Sequence, residues 1–373
     1  MTAGIEIQLI AIIISIACSL CGTFLVIRKM SMMSDSITHT ILLGIVIAFF
    51  IVHDLSSPLL IVGAASIGVI TVWLTELLTK THLVSEDSAI GIVFPLLFSI
   101  AIILISRYAG SIHLDTDAVL LGELAFAPFD RMIVNGYDIG AKGLYTASML
   151  LTINLLFIGI FYKELKVATF DPMLAAVMGF SPVLIHYSLM TIVSLTAVGS
   201  FESVGSILVV AFMIGPPTCA YLLTDSLKKM LMLSAIFATI GSILGYQFAF
   251  MLDVSIAGSM AVMIGILFIL TFIFAPKKGM ISIYFKRKKQ KIEFAEVTLL
   301  LHIKNNIDDL KDNDRNSIDN ISKHLHWDKN KLDKIKDQLL ESNKIKEDKD
   351  KLIITAYGIE TINVATKTLL SER

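Results

Sequence analysis

The chain has 373 residues, 55% of them hydrophobic and only 17% charged, with a mean hydropathy of +0.76. Soluble domains run at roughly 45–50% apolar and about 25% charged, so a single soluble globule is excluded, and so is a disordered chain. Charge is also segregated: residues 1–280 hold 12 Lys/Arg and 16 Asp/Glu, while residues 281–373 hold the other 19 and 16. That split excludes a uniform membrane bundle. It predicts a membrane domain over 1–280, a basic linker over 281–294 and a cytoplasmic domain over 295–373.

Crossing about 30 Å of hydrocarbon takes roughly 20 apolar residues per helix. Stretches that qualify lie near 6–27, 36–53, 58–79, 86–106, 143–162, 182–199, 204–223, 230–251 and 254–275, some short or interrupted by Gly and Pro. The fold class is therefore an all-α polytopic membrane protein of eight or nine transmembrane helices. The start MTAGIEIQL lacks a basic n-region, so the first run is expected to be retained as a span. Cys18, Cys21 and Cys219 sit in apolar runs and imply no disulfide framework; Cys18 and Cys21 read as small core residues.

Basic residues orient the spans. Arg28 and Lys29, Lys80, Lys163 and Lys166, Lys228 and Lys229, and Lys277 and Lys278 follow alternate spans. Nine spans with the N-terminus outside and the C-terminus inside satisfy them, although Arg107, Arg131 and Lys142 weaken the rule on the other side. Gly241 and Gly245 form a G-x-x-x-G that admits a close neighbouring helix. Gly215-Pro216-Pro217 should break the ladder of the seventh span, either as a packing kink or where the freed carbonyls line a cavity.

Ionisable residues in spans are costly and therefore informative. Asp35 and His39 are four apart, on one helical face. Oxygen and nitrogen donors so placed can share a divalent cation, and suit manganese, iron or zinc better than calcium or copper(I). The competing reading has Asp35 capping the second span with His39 exposed on its first turn. Glu202 and Ser203 are expected in outer solvent, His186 and Tyr187 inside the bundle, and Glu76 snorkelling to the cytoplasm. His113, Asp115 and Asp117 read first as a solvated external loop.

At these residues the chain resembles the permease subunit of bacterial ABC importers for manganese, zinc or iron(II). RKMSMMSDSITHTILLGIVIAF (28–49) is similar to the family's basic pair followed by D-x-x-S-H-A-x-x-x-G, with Thr38 and Thr40 in place of Ser and Ala and with Asp35, His39 and Gly44 kept. YKELKVATFDPMLAAVMGF (162–180) is similar to its F-D-P-x-x-A-x-x-x-G loop, here Phe170, Asp171, Pro172, Ala175 and Gly179. The stretches 204–224 and 252–279 match its later spans.

The resemblance implies a second span starting near Ser31, which favours the ion site, and a homodimer or paired permease bringing two Asp35/His39 pairs around one pathway. Gly44, Gly215, Pro216 and Pro217 would shape that pathway. The resemblance also implies an ATP-binding partner docked on the 170–179 segment, an extracytoplasmic metal-binding protein, and a multi-pass place in the bacterial plasma membrane. Asp171 reads independently as an N-cap with Pro172 at N1, followed by a short helix with an apolar face. The sequence has no G-x-x-x-x-G-K-[ST], so ATP hydrolysis falls to another chain. No permanently bound cofactor is expected, only the transported metal, with manganese first and zinc or iron(II) as alternatives. Two other functions remain open on the residues alone: a membrane-tethered metal-responsive regulator, and an ATPase-independent channel or carrier.

In the tail, FKRKKQK (285–291) is suited to lipid headgroups. Helices are expected over 295–306, 317–325 and 329–342, then a hairpin over 343–355 and a helix over 357–370. This is a winged-helix order, and the tail resembles the DNA-binding domain of metal-dependent repressors. Lys329, Lys331, Lys334 and Lys336 could meet phosphates, but Asp333 and Asp337 interleave with them, so a regulatory or structural role is expected rather than nucleic-acid binding. His302, His324 and His326 could sense metal, or be ordinary histidines.

Overall fold

The computed structural model describes residues 2–54, 57, 59–108, 124–134, 137–305, 318–348 and 351–371. His113, Asp115 and Asp117 lie outside the described residues. The chain forms two compact units, Met1–Gly279 and Met280–Arg373.

In the first unit, eight helices are long and apolar enough to cross a membrane, among the described residues. They are α1 (Ala3–Ile27), α2 (Ser31–Val52), α3 (Leu59–Thr79), α4 (Glu86–Tyr108), α5 (Lys142–Ile160), α8 (Pro182–Leu223), α9 (Leu227–Leu252) and α10 (Ile256–Phe274). Two short helices, α6 (Tyr162–Phe170) and α7 (Pro172–Val177), join α5 to α8. A two-stranded antiparallel hairpin, β1 (Arg131–Val134) and β2 (Tyr137–Ala141), precedes α5.

Burial distinguishes centre from rim. The apolar windows of α1 and α8 are 72% buried, those of α5 and α10 only 22%. A helix that is apolar all round yet mostly uncovered needs an apolar solvent, which here is lipid. Polar side chains stitch the centre together: Asn154 Nδ2 donates to the Ala17 carbonyl at 3.1 Å, and Asn154 Oδ1 accepts from Thr196 Oγ1 at 3.1 Å. Cys18 and Cys21 are buried against Ser200 and Thr196 on α8, and Cys219 is buried too; all three are free thiols. Met260 packs where a side chain on Gly245 would project, and Ile264 does so at Gly241, so this G-x-x-x-G seats α10 against α9.

Eight apolar helices carry the expected nine spans because 182–199 and 204–223 run together as α8, 42 residues in which two helices meet across a kink. At 1.5 Å per residue that helix would measure about 63 Å, twice the hydrocarbon thickness. It is not straight. Gly205 has φ +77° and ψ 164°, outside helical space. Before it, His186 meets Arg28, Thr196 meets Cys21 and Ser200 meets Cys18, so the chain climbs α1 from its C-terminal end. After it, the Met213 carbonyl lies against Gly22. The chain has doubled back.

The expected break at Gly215-Pro216-Pro217 is therefore corrected. Those residues lie inside regular helix, Pro216 and Pro217 are buried, and Gly215 faces Ile264. Proline at 217 removes the N–H that would have bonded the Met213 carbonyl. That oxygen occupies the space where Gly22 has no side chain; Pro216 likewise withholds a bond from the Phe212 carbonyl, so the ladder loses two bonds without breaking the helix.

In the second unit, α11 (Met280–Asn305), α12 (Ile318–Leu325), α13 (Lys329–Glu341), the hairpin β3 (Ile345–Asp348) and β4 (Lys351–Ile354), and α14 (Ala356–Ser371) share a core. Leu299, Leu300, Ile303, Ile321, Leu332, Leu339, Ile345 and Leu352 build it. The stretch 281–294, expected as a linker, is instead the first half of α11. Its Lys, Arg and Gln are good helix formers, and Lys289 reaches Glu293 one turn on at 3.7 Å.

Candidate metal site and coupling segment

Helix α2 starts at Ser31, with Met30 before it making no side-chain cap. Asp35 therefore stands inside the helix, beyond its first turn, and does not cap it. His39 Nε2 lies 3.5 Å from Asp35 Oδ1, and the two side chains are 30% and 40% exposed. Two ligand atoms each about 2.1 Å from one ion and separated by that distance subtend roughly 110° at the ion. By distance, both atoms can reach one ion.

Aromatic rings from α4 fix the imidazole. Phe94 lies 5.1 Å from it, tilted, and Phe98 meets it edge-on at 6.1 Å. Thr38, where the family pattern has Ser, donates to the Asp35 carbonyl at 2.8 Å and is buried. Gly44, further along α2, packs its backbone on Gly63 and Ala64 of α3. Among the described residues no group of three or more His, Cys, Asp or Glu could hold a metal. One chain thus offers two donors where transition metals take four to six.

The Phe170–Gly179 segment is a built turn. Asp171 is extended (φ −147°) and its Oδ1 accepts from the Leu174 amide at 2.9 Å. Pro172 follows at the first helical position, where its missing N–H costs nothing. Gly179 (φ +88°) ends α7, and Phe180 donates back to the Ala175 carbonyl at 3.0 Å. Ala175 is buried and anchors the turn. Outward stand Phe170, Met173, Leu174, Val177 and Met178, with Met173 and Val177 above 80% exposed. A six-residue helix thus leaves its apolar side uncovered.

Glu76, His186 and Arg28 lie far apart in the chain, and their spacing does not connect them. The structure brings them together. Arg28 donates from Nε to Thr169 Oγ1 and from Nη1 to His186 Nδ1, both at 3.1 Å. Arginine has no acceptor, so His186 Nδ1 accepts and its proton sits on Nε2, which faces Glu76 Oε1 at 2.5 Å. Tyr187 donates to Glu76 Oε2 at 2.9 Å, and Lys80 Nζ is 3.7 Å away. Burial pulls the Arg28 guanidinium down to about 10, still charged at neutral pH. His186 Nδ1 is thus taken by Arg28, and Nε2 stands in close contact with the Glu76 carboxylate. Each residue was visible as a polar group near a span end, but spacing gave no sign that they meet.

At the opposite end of α1, Arg131 joins Glu6 (3.0 Å) and Asp138 (2.8 Å), and the Asp138 hydrogen bond holds the guanidinium above its ordinary range. Lys142 lies 3.6 Å from both Asp130 and Glu202. Glu202 is exposed, as expected.

Residues 5–275 match the ABC 3 transport family. The zinc transport system membrane protein TroD of Treponema pallidum (strain Nichols) is 42% identical over 354 residues, 95% of this chain and 96% of that protein. The manganese transport system membrane protein MntD of Bacillus subtilis (strain 168) is 45% identical, over 73% of this chain and 92% of its own length. The solved structure of PsaBC from Streptococcus pneumoniae in complex with Fab superposes with a TM-score of 0.62 at 29% identity, covering 74% of this chain and 94% of that one. With the paired Asp35 and His39 in its second span, the capped Phe170–Gly179 turn and a match along nearly all of its first unit, this chain belongs to the ABC 3 transport family.

Proposed function

We propose that the chain is the permease subunit of an ATP-binding-cassette importer that passes a divalent transition-metal ion into the cytoplasm. The observation that carries this is the Asp35/His39 pair, an oxygen and a nitrogen donor 3.5 Å apart on an intramembrane helix. Relatives named for zinc and manganese transport support a cargo of that class, and the donor set suits manganese, zinc and iron(II) alike. Two donors are half of a four-coordinate shell. A second copy presenting its own pair across the same pathway completes it, and the uncovered stripe of Met32, Ile47 and Ile51 on α2 supports a homodimer there.

The Phe170–Gly179 turn is the seat of a separate ATP-binding subunit, and an extracytoplasmic metal-binding protein delivers the ion. Asp171→Ala removes the cap, which costs the turn about 1 kcal/mol. Co-purification of the ATP-binding subunit should weaken in that variant while the permease stays folded. Unchanged co-purification would remove the turn from the interface.

The doubling back at Gly205 supports nine passages, with the N-terminus outside and the second unit in the cytoplasm of a bacterial cell. The basic pairs at 28–29, 228–229 and 277–278 then share the inner side. Arg131 and Lys142 fall outside, each already paired with acids. The second unit is a winged helix in which α12 and α13 form the helix-turn-helix and β3–β4 the wing. Lys336 is committed to Glu347 at 3.3 Å, which supports a regulatory or docking module over a DNA-binding one.

Vesicles carrying the permease with its ATP-binding subunit should accumulate metal only with ATP inside the assembly's reach. Accumulation that continues at the full rate without that subunit would instead establish a channel or secondary carrier.

A further inference from the structure

Arg28 occupies a singular position in the chain. It lies in the tight turn between α1 and α2, three residues before α2 begins and seven before Asp35. Its guanidinium reaches Thr169, the residue before Phe170 in the docking turn, and His186 on the first turns of α8. His186 passes the contact to Glu76 near the end of α3, where Tyr187 holds the other carboxylate oxygen. Five residues earlier on α3, Thr71 donates to Thr40 at 2.8 Å, and Thr40 adjoins His39. The docking turn is thus tied to the ion-site helix by two routes: directly through the Arg28 turn, and through Glu76 and α3.

Around these groups lies a cavity of about 710 Å³, lined by Arg28, Lys29, Glu76, Lys80, Pro172 and His186. The network therefore borders open space on one side, into which its members can move together. A buried polar chain of fixed donors and acceptors has few alternative arrangements, so displacing one member shifts the others.

We propose that Arg28, His186 and Glu76 are positioning residues that transmit movement of the Phe170–Gly179 turn to α2, so that ATP hydrolysis on the partner subunit opens the pathway at Asp35 and His39. This rests on the reading of that turn as the seat of the ATP-binding subunit. None of the three touches the ion; they set where the ion-site helix stands.

The test uses the assembled permease and ATP-binding subunit in vesicles, supplied with manganese or zinc and the delivering protein, and reads metal taken up per ATP hydrolysed. Arg28→Lys keeps the charge, but one amine cannot serve both Thr169 and His186. Glu76→Gln keeps the Tyr187 hydrogen bond and removes the charge facing His186. Thr169→Val removes only an acceptor and barely changes side-chain shape. All three should hydrolyse ATP within about twofold of the parent rate, while uptake per ATP falls about tenfold. The double variant Arg28→Lys/Thr169→Val should lose less than the product of the two single losses, because the two residues share the Arg28–Thr169 contact.

A merely structural network would lower the yield of complex and reduce both activities together. An unchanged ratio in Arg28→Lys and Glu76→Gln therefore overturns the proposal, as do losses in the double variant that multiply. Should Arg28→Lys fail to assemble, Thr169→Val carries the same comparison. If the parent complex shows ATP-independent uptake or does not bind the ATP-binding subunit, the reading of the docking turn fails instead, and the two failures are told apart.

Discussion

Asp35→Ala and His39→Ala complexes are expected to assemble and to hydrolyse ATP while carrying at least ~100-fold less metal than the parent complex. Removing an orienting neighbour of a metal ligand typically costs 10–100-fold, and here the ligand itself is lost, twice over if two copies face each other. Neither substitution threatens the fold. Both side chains are partly open, and neither holds another helix beyond the ring contacts of His39 with Phe94 and Phe98. The informative companion is Asp35→His. It replaces an oxygen donor by a nitrogen, which should turn preference away from manganese and towards zinc. Uptake of competing manganese and zinc isotopes from one mixture measures that ratio directly. Normal uptake in both alanine variants would remove the pair from the pathway, whatever its spacing.

Much of this was legible in the residues because the physics that carries it is local. Hydrophobic length placed the spans to within a few residues. The D-x-x-x-H spacing put Asp35 and His39 on one face, since a helix brings positions four apart together. Asp171-Pro172 announced a helix start, since an extended acceptor followed by a residue without an N–H can do little else. What stayed hidden depends on contacts between distant segments. Proline looked like the breaker at 216–217, yet the carbonyl it frees at Met213 is accommodated by Gly22, nearly two hundred residues earlier. The reversal beside it was legible, since Glu202 and Ser203 separate the expected spans 182–199 and 204–223, and the backbone leaves helical space two residues later at Gly205. Glu76, Arg28 and His186, by contrast, read as three separate polar residues until the fold joined them. The basic stretch 281–294 reads as a linker by its charge, yet its residues are among the better helix formers and it begins α11.

The break at Gly205 leads to the second large effect. Its backbone (φ +77°, ψ 164°) lies in a region open almost solely to glycine, and an L side chain there costs roughly 1–3 kcal/mol. The cost falls on the reversal that returns α8 along α1, and a straight continuation would leave 42 residues with nowhere to go. Gly205→Ala should therefore lower the heat stability of the purified permease, read as loss of the monodisperse peak after heating in detergent. Gly22→Ala should do the same for a separate reason, because its new methyl group meets the Met213 carbonyl backbone, and overpacking of this kind costs about 1–3 kcal/mol. The two defects differ in their remedy. Pro217→Ala restores the N–H that draws the Met213 carbonyl back into its own helix, so it should recover part of the stability lost in Gly22→Ala and none of that lost in Gly205→Ala. Wild-type stability in Gly205→Ala would mean that α8 does not turn there, and with it would go the support for nine passages and for ends on opposite sides of the membrane.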